Sequence, residues 1–162
     1  MTITSLYDVI VHSMSQSLAR ISLHLVFSTK ERQAFLTEPD LRERAHGYLA
    51  STLNNAECPA IIIGGISDHV HILFALSRRA CVADLVGDLK ASSSKWLKAQ
   101  GVAGFTWQRG YGCFSVSQSN VPAVREYIAQ QHHHHRVRSF QDELRLLLFR
   151  HGIAYDEKYL WD

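Results

Sequence analysis

Four stretches of the chain have the hydrophobic pattern of β-strands. Residues 20–29 begin with alternating apolar and polar positions, which is typical of a half-buried strand. Residues 61–63 and 69–74 are apolar, β-branched runs on either side of a short break of Gly, Ser and Asp, as in two strands joined by a tight turn. Residues 113–117 have the composition of a fourth strand. The pattern therefore predicts a sheet of four strands.

Apolar residues at helical spacing predict the helices. One stripe starts after Asp40, and another extends over residues 82–100 before two nearby glycines. Asn120 is predicted to be the N-cap of a third helix, and a fourth begins at Ser139 with Asp142 as its capping-box partner. Helices are thus predicted after the first strand, after the third strand and after the fourth.

The order of these elements, β-α-β-β-α-β followed by two helices, is that of an α+β ferredoxin-like split β-α-β sandwich. Its antiparallel sheet places the first and third strands next to each other in the middle. We expect residues 20–162 to form one such domain, because a chain of 162 residues is long enough for a core of its own. Residues 1–19 lie outside the pattern and are predicted to be an N-terminal extension.

Two histidines, His69 and His71, open the third predicted strand. Residues i and i+2 of a strand point to the same face, with their Cα atoms roughly 6.5–7 Å apart. This separation lets two imidazoles converge on one metal ion. A pair at this spacing is also common at ordinary strand edges, so the pair alone does not establish a metal site.

Tyr127 and Gln131 lie four residues apart in the predicted third helix, and therefore on one helix face. A phenol nucleophile and a neutral amide ligand, presented opposite a strand with two histidines, form a coherent site for phosphoryl transfer. We therefore predict Tyr127 as a catalytic nucleophile, and His69, His71 and Gln131 as ligands of one metal ion.

Positive charge is concentrated in the middle of the chain. Residues 78–138 contain nine Lys or Arg and three acidic residues, a net charge of +6, whereas the whole chain carries only +2. This segment suits a polyanionic partner, although a solvated face has the same composition. The candidate DNA-contacting residues in it are Lys90, Lys95, Trp107, Arg109 and Arg125. For the lysines the alternative is a solubilising helix face, and for the tryptophan it is packing in the core.

Composition limits the cellular setting. The three cysteines are odd in number and lack metal-binding spacing, which is typical of unpaired thiols in a reducing compartment. No apolar run approaches the roughly 18–20 residues of a membrane span, and no basic segment opens the chain as in a signal peptide. We therefore expect a cytoplasmic protein without a membrane partner.

Together these motifs resemble the single-tyrosine HUH transposases of the insertion-sequence 200/605 group. The matching segments follow one another in the order found in that family and cover about residues 20–161. They are residues 26–30, 65–73, 89–96, 107–112, 114–117, 127–131 and 139–161. The combined match is far more specific than the His-Val-His motif alone.

The resemblance implies a DNA transposase that recognises hairpins in single-stranded DNA. Such an enzyme cleaves and rejoins strands through a covalent phosphotyrosine, with the assistance of Mg²⁺ or Mn²⁺. It also implies a homodimer, and the polar connection at residues 118–121 is able to swing. We accordingly expect shared active sites, with His69 and His71 of one subunit working with Tyr127 and Gln131 of the other.

Two other functions fit parts of the same pattern. One is a non-catalytic nucleic-acid-binding module, because ferredoxin-like sheets also serve as platforms for base stacking. The other is a metal-dependent nuclease that uses water, with Tyr127 in a structural role. His24 is a strand residue that either faces the site or packs in the core, and the run of histidines from His132 to His135 receives no assignment.

Overall fold

A four-stranded antiparallel β-sheet forms the centre of the fold. The computed structural model describes residues 18–134 and 138–161. The strands are β1 (Ser22–Ser28), β2 (Ala60–Gly65), β3 (His69–Ala75) and β4 (Gly112–Val116). The helices between strands are α1 (Pro39–Asn55) and α2 (Val82–Ala99). The helices after the last strand are α3 (Val121–Ala129), α4 (Gln131–His134), α5 (Phe140–Arg150) and α6 (Glu157–Leu160).

The central strands β1 and β3 send alternate side chains to opposite faces of the sheet. One face packs against α1 and α2, and its core residues on these strands are Leu23, Leu25, Phe27, Val70, Ile72 and Phe74. On the other face the register pairs Val26 with His71 and Ser28 with His69. His24 points to this second face too, and all three histidines are buried. One face of the sheet therefore belongs to the apolar core, and the opposite face carries the three buried histidines.

The predicted fold class is confirmed. The strand order is β2-β3-β1-β4, so β1 and β3 are neighbours in the middle of the sheet, as the ferredoxin-like pattern requires. Hydrogen-bonded strands flank β3 on both sides. This pairing holds His69 and His71 on a rigid support, which a metal site needs.

Helix α5 covers part of the histidine face. Ser139 is its N-cap, as predicted, and the Ser139 side chain accepts a hydrogen bond from the backbone N–H of Asp142. The helix rests on Val26 and Phe114 of the sheet through a small apolar cluster of Phe140, Leu144 and Leu148. The predicted N-cap is thus the local signal that starts a helix lying directly over the histidines.

The prediction that one helix carries both Tyr127 and Gln131 is wrong. Helix α3 ends at Ala129, and Gln130 leaves helical geometry with φ −98° and ψ 19°. Gln131 then begins the separate turn α4. No glycine or proline marks this break. The side chain of Gln131 is buried on the histidine face, and these tertiary contacts accompany the change in chain direction.

Residues 1–17 lie outside the described residues, so the N-terminal extension over residues 1–19 stays a prediction. None of the helices within residues 18–134 and 138–161 has the length and apolarity needed to cross a membrane. Cys58, Cys81 and Cys113 are unpaired thiols, as their spacing predicted.

Candidate active site

His69 and His71 direct the same ring atom, Nε2, into one buried site. The Nδ1–H group of His69 donates to Oδ1 of Asp68 at 2.7 Å. The Nδ1 atom of His71 lies 2.9 Å from Nε2 of His24 on the neighbouring strand. Because each Nδ1 atom has a partner outside the site, each Nε2 atom is turned inward. Hydrogen bonds of this kind orient histidine ligands in metalloproteins.

Gln131 reaches the same site from α4. Its Oε1 atom lies 3.5 Å from Nε2 of His69. Its Nε2 group donates to Oε1 of Glu143 at 3.1 Å, which leaves the amide oxygen directed at the histidine. The side chain is almost fully buried. The predicted proximity of Gln131 to the histidines is therefore present, although the helix predicted to carry it is broken.

Glu143 is a residue of the site that the sequence analysis missed. It lies in the first turn of α5 and is 4% exposed. Its Oε2 atom is 3.4 Å from Nε2 of His71 and 4.0 Å from Nε2 of His69. An acidic residue in the first turn of a helix is ordinary, because it complements the helix dipole. No sequence signal therefore distinguished Glu143 from its neighbour Asp142.

Burial shifts the protonation equilibria around the histidines. Burial, reinforced by the nearby His71 and His151, lowers the pKa of His24 to about 3, so this imidazole is neutral at pH 7. Burial raises the pKa of Glu143 to about 7; the charge of His69 opposes this shift and Asp68 reinforces it. The Nε2 atom of neutral His24 is able to accept a hydrogen bond from the Nδ1–H group of His71, which leaves Nε2 of His71 available to a metal ion.

The donor atoms fit a divalent cation. Ligand atoms of His69, His71 and Glu143 all lie within 4.8 Å of one another, and the three residues are buried. The amide oxygen of Gln131 lies beside them. Imidazole nitrogens combined with amide and carboxylate oxygens are a donor set that Mg²⁺, Mn²⁺ and Zn²⁺ each accept. The predicted metal ligands are thus brought together, with one carboxylate added.

Tyr127 lies at the edge of this donor group. The side chain is half-buried, and its ring centroid is 5.8 Å from that of His71 and 6.3 Å from that of His24, edge-on in both cases. Helix α3, which carries Tyr127, packs mainly on strand β2. The phenol is therefore both close to the histidines and partly accessible.

Gly64 of β2 allows α3 to approach the sheet. A Cβ atom at this position would lie 2.5 Å from the carbonyl oxygen of Ile128 and 2.8 Å from its Cγ2 atom. Both distances are too short for real Cβ contacts, and the carbonyl is backbone that a rotamer change does not move. Because Gly64 has no side chain, α3 is able to pack closely on β2, and this packing brings Tyr127 near His71.

A cavity of about 860 Å³ adjoins Tyr127 between β4, α3 and α5. Arg138 and Arg150 contribute positive charge to its lining, and His24 and Glu143 connect it to the histidine site. Its apolar walls include Val116, Val124, Leu146 and Leu147. A cavity with cationic side chains and apolar walls suits a ligand with an anionic backbone and flat apolar groups.

Two predicted DNA-contacting residues have structural roles instead. Trp107 is 5% exposed, packs edge-on against Phe27 and Phe105, and donates its Nε1–H to Oγ of Ser93. It is therefore unavailable for stacking on bases. The ammonium of Lys90 donates to the carbonyl oxygens of residues 108, 109 and 110 at 2.8, 3.0 and 2.8 Å. Those three bonds use all its donors, so Lys90 holds a loop.

The other three candidates, Lys95, Arg109 and Arg125, are exposed. Arg125 lies on α3 with Tyr127, and Arg109 lies in the loop that precedes β4. Lys95 lies on α2, which packs against the sheet face opposite the histidines. The fold thus places Arg125 on the helix of the candidate nucleophile and Lys95 on the far side of the sheet.

One chain assembles the set of residues that the sequence analysis divided between two subunits. Gln131 is 3.5 Å from His69 of its own chain, and the ring of Tyr127 is 5.8 Å from that of its own His71. These distances are compatible with a site formed within one chain. The expected homodimer and its shared active sites stay predictions, because the structure contains a single chain.

Two residues of the histidine run, His132 and His133, lie in different surroundings outside the donor group. Nε2 of His132 lies 3.3 Å from Nη2 of Arg42 on α1, and His133 lines the cavity beside Tyr127. The side chain of His134 and all of His135 lie outside the described residues. Neither His132 nor His133 belongs to the donor group around His69.

A family model described as Transposase IS200 like matches residues 17–131, which is more than half of the chain. No curated protein matches the sequence significantly. The fold is similar to that of a candidate transposase from Deinococcus radiodurans R1, with a TM-score of 0.58 at 18% identity. That comparison covers 74% of this chain and 96% of the other. It is also similar to a REP-associated tyrosine transposase bound to a REP hairpin, with a TM-score of 0.56, 12% identity, and coverage of 75% and 74%.

Proposed function

The chain belongs to the IS200-like transposase family, and we propose that it cleaves and rejoins single-stranded DNA through a covalent phosphotyrosine. The observation that carries the proposal is the position of Tyr127. Its partly accessible phenol lies beside His71, between a group of potential metal ligands and a cavity with positive charge. The proposed nucleophile, the proposed metal ligands and space for a substrate thus lie next to one another.

In the proposed reaction, the phenolic oxygen of Tyr127 bonds to the phosphorus of the scissile phosphodiester. The bond from phosphorus to one sugar oxygen breaks, so one fragment remains on the tyrosine and the other leaves with a free hydroxyl. The phenol loses its proton and the departing oxygen gains one. Because the covalent bond retains the energy of the ester, the reverse attack by a hydroxyl rejoins strands without ATP.

His69, His71 and Gln131 are the proposed ligands of a divalent cation. When bound, the cation polarises a phosphate oxygen and neutralises the charge that develops during transfer. Mg²⁺ or Mn²⁺ is the proposed ion, because both are hard cations that bind phosphate and amide oxygens. Asp68 and His24 keep the two imidazoles oriented through their Nδ1 atoms.

We propose hairpin-bearing single-stranded DNA as the substrate. The REP-associated transposase of similar fold is bound to a DNA hairpin, which supports this substrate class. In this chain, Arg138 and Arg150 line the cavity next to Tyr127, and Arg125 lies on the same helix as the tyrosine. These arginines are suited to the phosphates of a strand entering the site.

The direct test is a covalent adduct. The full-length protein is incubated with Mg²⁺ or Mn²⁺ and end-labelled single strands that contain hairpins, and the products are separated on a denaturing gel. We expect a labelled band at the mass of protein plus DNA fragment, which disappears on protease treatment. Cleaved DNA without any adduct would indicate a nuclease that uses water. Binding without cleavage would indicate a non-catalytic module.

We propose that each chain uses its own histidines and tyrosine, because these residues lie together within one chain, so an equimolar mixture of H69A and Y127F proteins is expected to remain inactive. Adduct formation should stay at the level of the two variants alone. Subunit exchange is verified with fluorescent labels of two colours, and the mass of the wild-type protein in solution tests the predicted homodimer. Recovery of adduct formation in the mixture would show that the site is shared between chains.

G64A is expected to reduce adduct formation by more than about tenfold, because displacement of a catalytic group by even about 1 Å is costly. The added methyl group meets the backbone oxygen of Ile128 and pushes α3 away from β2. We also expect the free energy of unfolding to fall by about 1–3 kcal/mol, the usual effect of overpacking. Adduct assays and chemical denaturation measure the two effects.

G87A is the matched control for this prediction. Gly87 lies in α2, and a Cβ atom there meets no atom within 4 Å. Alanine in the interior of a helix is more stable than glycine by about 0.5–1 kcal/mol, so this variant should be slightly stabilised and fully active. If the G64A protein is as active as G87A, the close packing of α3 on β2 does not position Tyr127.

A further inference from the structure

We propose that Glu143, carried by α5, is a fourth ligand of the cation. This inference rests on the cation site of the proposed function and adds a negatively charged ligand to its three neutral ones. The sequence pattern indicated only neutral donors, namely two imidazoles and an amide. The carboxylate comes from the first turn of α5.

The hydrogen bonds around the site select four inward-facing atoms. Asp68 engages Nδ1 of His69, and His24 engages Nδ1 of His71. The Nε2 group of Gln131 donates to Oε1 of Glu143. This hydrogen bond occupies one polar atom of each side chain. The atoms that remain directed at the centre are Nε2 of His69, Nε2 of His71, Oε1 of Gln131 and Oε2 of Glu143. Two are imidazole nitrogens, one is an amide oxygen and one is a carboxylate oxygen, and all of these atom types bind metal ions in proteins.

The separations between these atoms match ligands of one ion. Oε2 of Glu143 lies 3.4 Å from Nε2 of His71 and 4.0 Å from Nε2 of His69, and Oε1 of Gln131 lies 3.5 Å from the latter. Two ligands that each bind at about 2.1 Å lie roughly 3–4.2 Å apart, depending on the angle between them. All three measured distances fall within that interval.

The anionic ligand changes what the site does with a cation. A carboxylate attracts a divalent cation more strongly than a neutral amide or imidazole does, because it carries a full negative charge. Six-coordinate Mg²⁺ or Mn²⁺ would still have two positions for phosphate or water beyond four protein ligands. The expected consequences are tighter binding of the cation and a lower net charge at the metal.

The same contact links the cation to the C-terminal part of the chain. Phe140, one turn before Glu143, stacks on the ring of His69 with centroids 4.5 Å apart. Helix α5 is therefore in contact with the donor group at two points, one apolar and one acidic. A cation bound by Glu143 should hold α5 on the sheet and raise the thermal stability of the protein.

The test is a titration of the full-length protein with Mn²⁺, followed by the EPR signal of the free ion. The variants are E143Q, which is nearly isosteric and keeps an oxygen for the amide of Gln131, and E126Q. Glu126 is an exposed acid on α3, so E126Q removes the same charge away from the donor group. We expect E143Q to weaken Mn²⁺ binding by at least about tenfold and E126Q to leave it unchanged.

Melting curves provide a second measurement. Without metal, E143Q should be at least as stable as the wild type, because a neutral amide is easier to bury than a carboxylate. With Mn²⁺, its melting temperature should rise less than that of the wild type. If Glu143 only held Gln131 in place, E143Q would show the same rise as the wild type, because its amide oxygen keeps the hydrogen bond from Gln131.

The outcomes separate this inference from the proposed function. Equal Mn²⁺ affinity of E143Q and the wild type would overturn the role of Glu143 and leave the three neutral ligands in place. Absence of Mn²⁺ binding to the wild type would overturn the cation site as a whole, including Glu143. A selective loss in E143Q supports the fourth ligand.

Discussion

Y127F is expected to lose the covalent adduct with DNA while it retains binding of the hairpin. The substitution removes one oxygen atom, which is the atom proposed to bond to phosphorus, so adduct formation should fall by more than about a thousandfold. The ring remains, and with it the edge-on packing against His71 and His24. Gel shift should show binding within about twofold of the wild type. Adduct formation is measured with an end-labelled strand on a denaturing gel.

Y155F is the matched control for this variant. Tyr155 is 42% exposed and lies outside the donor group, so loss of its hydroxyl should change neither binding nor adduct formation. An adduct that persisted in Y127F would exclude this tyrosine as the nucleophile. The candidates would then be the exposed tyrosines Tyr111, Tyr155 and Tyr159.

H69A and H71A are each expected to reduce DNA cleavage by at least about a hundredfold. Loss of one imidazole removes a proposed ligand and the orientation that its Nδ1 partner provides. Removal of divalent ions from the wild type with a chelator should have the same effect, and Mn²⁺ should restore the wild type but not the variants. Q131A should be affected less, because water can replace an amide oxygen on a hard cation.

H46Q is the control for the histidine variants. His46 lies on α1, is half-buried and is not part of the donor group. Its replacement should leave cleavage and restoration by Mn²⁺ unchanged. Melting curves of all variants check that each is folded. Full cleavage by the wild type with its metal content measured as nil would remove the cation from the proposed mechanism.

Local patterns in the sequence were sufficient for the fold class and for the pair of histidines. Strand period places residues two apart on one face whatever the rest of the chain does, so His69 and His71 had to lie side by side once β3 formed. Ser139 and Asp142 specify a helix start through contacts three residues apart. Such features depend on neighbours in the chain, and the sequence records them directly.

The roles of Trp107 and Lys90 required the tertiary structure. An aromatic and a cationic residue in a basic segment are typical of a surface that binds nucleic acid. In the folded chain, however, both residues make internal contacts. Trp107 fills the core between Phe27 and Phe105, and Lys90 is held by three carbonyl oxygens of a distant loop. Side-chain type does not record whether a position is exposed, which depends on the other elements that cover it.

Completion of the site was likewise decided by tertiary contacts. Periodicity placed Tyr127 and Gln131 on one helix, yet the helix breaks at Gln130, and Gln131 contacts His69 and Glu143 through its own turn. Glu143 has the sequence signature of an ordinary acid in a first helical turn. It enters the donor group only because the apolar face of α5 docks on Val26 and Phe114. Periodicity and capping act over a few residues, whereas the meeting of a strand, a turn and a distant helix depends on how their surfaces pack.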